Sequence, residues 1–85
     1  MTGARMTRSC ADAFRIASRV VVYRSAAGVE MEAVGAHGRT VAAGADGTPV
    51  RYASVRQART AARRLTAAPV VLADVREGGR EDGAV

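Results

Sequence analysis

The stretch that most limits what this chain can become is Ser54 to Ala67, SVRQARTAARRLTA. Val55, Ala58, Ala61, Ala62 and Leu65 recur at about 3.6 residues, the repeat of one helix face. Arg56, Arg59 and Arg63 fall on the other face, Arg64 lies at its shoulder, and the segment holds no Asp or Glu. The spacing therefore predicts one α-helix over 54–67. Its start is marked by S-x-x-Q: the Ser54 hydroxyl is placed to accept from the Gln57 N–H, and the Gln57 side chain to return to Ser54. Its end is marked by Arg63 and Arg64, which suit the negative end of the helix dipole, and by Pro69. An alanine face can sit close to a sheet but removes little area from water, so Val55 and Leu65 are expected to be its anchors. On that expectation Leu65→Asp would unfold the chain.

The segments before this helix read as strands. Arg19 to Ser25, RVVVYRS, is apolar on both faces and is expected to run centrally over 19–25. Over 29–34, Val29, Met31 and Ala33 alternate with Glu30 and Glu32, which predicts a strand with one acidic face. A third, weaker strand is predicted over 39–43, and a short extended piece over 50–53 with Val50 and Tyr52 on one side. Gly35-Ala36-His37-Gly38 and the cluster Gly44 to Pro49 supply turns. After the helix, Val70 to Val75 reads as a further apolar strand, which suggests a crossover onto the same sheet. The expected fold class is α+β: a small antiparallel meander packed by one helix and followed by one more strand. Met6, Cys10, Ala13, Phe14 and Ala17 add helical spacing that predicts a short helix over 8–17, although Phe14 and Ile16 alternate as in a strand.

Domain organisation follows from charge and length. Eighty-five residues suffice for one domain, with residues 1–12 as a mobile basic arm, 13–75 as the body and the glycine-rich 76–85 as a disordered tail. Residues 13–75 hold nine arginines against four acids, so the formal charge of +5 resides in the body. All thirteen basic residues are arginine, a type of bias that a GC-rich coding sequence produces by itself. It accounts for the residue type but not for placing four arginines on one acid-free helix. The aromatics are Phe14, Tyr23 and Tyr52 alone. A core this light invites self-association as a homodimer.

The motifs for catalysis are sparse. His37 is the single histidine and lies in a glycine turn, Cys10 is the single cysteine, and no zinc-ligand spacing occurs. Glu30 and Glu32 are read as a solvated strand face balanced by nearby arginines. No phosphate-loop or calcium-loop pattern is complete. These readings point to a protein that is not an enzyme and needs no metal or cofactor. No segment reaches the ~20 apolar residues of a membrane span, and no secretory core is visible. A cytoplasmic location is expected.

What remains is binding. Arg56, Arg59, Arg63 and Arg64, with Arg51 extending the patch, are the candidate partner-binding residues. Guanidinium forks suit an acidic protein surface, as for a phage or mobile-element accessory protein. Phosphates of nucleic acid are the alternative partner for the same arginines, without aromatic platforms for base stacking.

Overall fold

The computed structural model describes residues 6–36 and 38–73 of the chain. Two helices, α1 (Arg8–Arg15) and α2 (Val55–Leu65), cover one face of a four-stranded mixed sheet. The strands are β1 (Arg19–Ser25), β2 (Gly28–Gly35), β3 (Gly38–Val41) and β4 (Val70–Ala73), in the spatial order β3-β2-β1-β4. The expected α+β architecture is present. β1 is central, as its two-sided apolar run requires: it pairs antiparallel with β2 and parallel with β4. The crossover expected to lead from 50–53 onto the sheet therefore ends beside β1.

Register decides which residues meet the helices. Val20 lies opposite Ala33 and Val22 opposite Met31, and these four join Val29 under Phe14, Cys10, Ala58 and Ala62. The intervening residues Val21, Tyr23, Glu30 and Glu32 point to the other face by the two-residue alternation of strands. They too are buried. The expectation of a solvated acidic face is thus corrected: Glu30 and Glu32 are only 7% and 2% exposed.

The helix over 8–17 is confirmed in shortened form. The Thr7 hydroxyl accepts from the Cys10 N–H at 3.1 Å and caps α1. Thr7 also donates its N–H to the Ala43 carbonyl at 3.2 Å, which ties the start of the helix to the chain beyond β3. Residues 6–12, expected within a mobile arm, are instead attached to the body, with Met6 against the core and Cys10 buried in it. Residues 1–5 of that arm, His37, the last two residues of the predicted strand 70–75 and the predicted tail 76–85 lie outside the described residues.

The piece at 50–53 is not a strand. It makes one isolated antiparallel bridge instead, Tyr52 to Val29, and Pro49 just before it makes another to Ala43. Tyr52 exchanges both backbone hydrogen bonds with Val29, at 2.8 and 3.2 Å. That contact brings the chain close to Gly28, where a Cβ would make only ordinary contact with the Tyr52 carbonyl but whose φ of +145° favours a residue without Cβ. Tyr52 itself packs against the core, and burial pushes its phenol above the usual 10.0, with the Cys10 thiol as a lesser cause.

Candidate partner-binding surface

Ser54 caps α2 as its sequence predicts, accepting from the Gln57 N–H at 3.2 Å. The return bond differs by one residue: the Gln57 side chain accepts from the Ala53 N–H at 3.2 Å. Either way two backbone donors at the helix start are satisfied, and the entry angle of α2 is fixed. The helix then lays Ala58 and Ala62 flat on the sheet, both fully buried. Val55 and Leu65 pack at the margins of the core and are only half-buried, so the alanines rather than the larger residues occupy the closest approach.

The opposite face of α2 is cationic. Arg56, Arg59, Arg63 and Arg64 are all exposed. Among the described residues no carboxylate pairs with any of them, whereas Asp12 pairs with Arg15 and Glu30 with Arg51. Arg56, Arg59 and Arg63 line a shallow concavity together with Val55 and Thr60. The Thr60 hydroxyl is turned back to donate to the Arg56 carbonyl at 3.0 Å, and the lining of the concavity is mainly polar. At a rise of 1.5 Å per residue the three arginines span about 10.5 Å along the axis. Arg64 follows Arg63 by about 100° around the helix and stands at the shoulder of the ridge.

Arg51 belongs elsewhere. Its neighbour Tyr52 points into the core, so Arg51 points to the face of the sheet away from the helices. There its Nε donates to Glu30 Oε2 at 3.1 Å. The same carboxylate accepts from the Tyr23 hydroxyl at 2.9 Å and from the Ser25 hydroxyl at 3.1 Å. Glu30 is therefore an internal counter-ion: it neutralises Arg51 and fastens the segment that leads into α2. The Asp12–Arg15 pair, at 3.1 Å on an exposed helix face, contributes about 0–1 kcal/mol.

Sequence reading missed the role of Glu30 because alternation assigns a face, not what is packed across it. It also missed the exposure of Ile16, Val71 and Leu72, which are 72%, 39% and 62% exposed. The apolar run of β4 carries no sign that it would form a sheet edge. Cys10 is a buried free thiol donating to the Val41 carbonyl at 3.4 Å. Among the described residues no three His, Cys, Asp or Glu side chains gather as metal ligands, and no helix is long and apolar enough to cross a membrane.

No protein-family model, curated protein or solved structure matches this chain.

Proposed function

We propose that this protein is a small non-enzymatic binding module that docks the arginine face of α2 on an acidic protein surface. One observation supports the reading above the others. Four guanidinium groups share one helix face and have no carboxylate partner among the described residues, while Arg51, close in sequence, is neutralised by Glu30. A net charge of +5 adds long-range attraction for acidic partners. Phe14, Tyr23 and Tyr52 are buried or packed against the core, so no stacking platform for bases accompanies the ridge, which favours a protein surface over nucleic acid. A single buried free cysteine suits a reducing compartment such as the cytoplasm.

The test uses labelled poly-L-glutamate as the acidic probe and a mixed-sequence DNA duplex as the competitor, read by fluorescence anisotropy at low salt. Three exposed charge contacts at ~0.5–1 kcal/mol each make Arg56→Ala/Arg59→Ala/Arg63→Ala weaken polyglutamate binding about 10- to 100-fold. Arg8→Ala, an exposed arginine on α1, is expected to have little effect. Unchanged affinity in the triple variant overturns the reading. Tighter binding of the duplex, with a steep salt dependence that the triple variant flattens, assigns the same ridge to nucleic acid instead.

A further inference from the structure

From the edge of the sheet we infer that two copies of this chain associate through β4, pairing antiparallel across a two-fold axis into one continuous eight-stranded sheet. β4 is one margin of the described sheet, hydrogen-bonded to β1 on one side. Its side chains are exposed on both faces at once. Leu72, in register with Val22, lies on the helix face and is 62% exposed; Val71, in register with Val21, lies on the opposite face and is 39% exposed. A partner docking on either face would cover one of them and leave the other wet. A strand added edge-on flanks both, which selects strand pairing over face docking.

The occupant is a second copy because the edge is complementary to itself. An antiparallel two-fold matches each backbone donor with an acceptor of the same strand in the other copy. Residues 65–73, from Leu65 to Ala73, carry no charge, so no like charges face each other across the paired strands. The other margin, β3, carries exposed Arg39, the type of residue that blunts an edge. Register is restricted as well. Directly opposed residues share a face, and a two-fold perpendicular to the sheet preserves faces, so Val71 meets its own mate and Val70 meets Leu72. That register stays within the strand.

This geometry has a consequence for α2, and that consequence rests on the binding reading above, whereas the interface does not. A two-fold perpendicular to the sheet keeps both helix layers on the same side. α2 lies over β1. Two β1 strands separated by two copies of β4 are roughly 14 Å apart at about 4.8 Å per strand. The two α2 helices then flank a gap floored by the two Leu72–Val70 cross-strand pairs, and their ridges form one surface of eight arginines.

The full chain is tested without any anionic ligand, so failure here leaves the binding reading untouched. Sedimentation equilibrium across the micromolar-to-millimolar range should show the mass rising from 8.8 kDa toward twice that value. Leu72→Lys, at an exposed position, should keep its melting behaviour and remain monomeric throughout. Val71→Cys should cross-link on mild oxidation, since opposed antiparallel residues sit about 4.5–5.5 Å apart at Cα, within disulfide reach. Arg39→Cys on the far edge should not, and buried Cys10 serves as the blank. A wild-type chain that stays at single mass and a Val71→Cys variant that stays unlinked overturn the inference. Dimers that persist in Leu72→Lys overturn it equally, because they place the interface elsewhere.

Discussion

Phe14→Ala is expected to remove about 3–5 kcal/mol of stability, enough to leave much of the population unfolded at moderate temperature. Phe14 is fully buried and heads the largest side chains in the core. It sits on α1 above Val20, Val22 and Met31, and its neighbours across α2 are the small residues Ala58 and Ala62. Alanines have no side-chain length with which to collapse into the vacated space, so the cavity persists and the full penalty is felt. A domain of this size holds about 5–15 kcal/mol in total, and about 4–8 °C of melting temperature goes with each kcal/mol. Thermal melting by circular dichroism should therefore fall by more than about 12 °C. Ile16→Ala, two residues away but 72% exposed, should change stability by no more than about 0.5 kcal/mol. Equal melting of the two variants would mean that α1 presents the wrong face to the sheet.

Ala62→Asp is expected to be as damaging, for a different reason. Ala62 is fully buried at the contact between α2 and the sheet. A carboxylate there has neither water nor a cation within the core, and an uncompensated buried charge costs about 3–5 kcal/mol. Arg59→Ala on the same helix should stay within about 0.5 kcal/mol of the parent. Chemical denaturation with urea reads both. Leu65→Asp, the substitution suggested by helix periodicity, is a weaker test, because Leu65 is half-buried and an aspartate could reach solvent from the helix margin. An Ala62→Asp protein with unaltered denaturation midpoint would reverse the assigned orientation of α2 and with it the cationic ridge.

Much of this arrangement was legible in the residues themselves. The three valines before Tyr23 require burial on both faces, and β1 is central. The Val29–Met31–Ala33 alternation placed the core side of β2 correctly. Ser54 and the alanine spacing located α2, and the arginines at 56, 59, 63 and 64 fall on its exposed face. What could not be read were relations between distant segments. Glu30 meets Arg51 across 21 residues, and only the pairing of Tyr52 with Val29 brings them together. Proximity in sequence grouped Arg51 with the ridge, although an extended residue beside an inward-pointing Tyr52 must face the other way. The arm failed for a similar reason. Met6 and Cys10 look like sparse apolar residues until Phe14, Ala42, Ala58 and the β2 valine and methionine gather with them in the core. The edge status of β4 likewise depends on where the sheet stops, which no local pattern encodes.

The central claim is that four arginines of α2 are available to a partner while Arg51 is already satisfied within the fold. The most direct measurement is an NMR titration of the arginine Nε–Hε signals with poly-L-glutamate. The signals of Arg56, Arg59, Arg63 and Arg64 are expected to move together with one affinity, while that of Arg51, held on Glu30 at 3.1 Å, stays in place. Equal movement of every arginine signal, or movement of Arg51 with a still α2, would contradict the account.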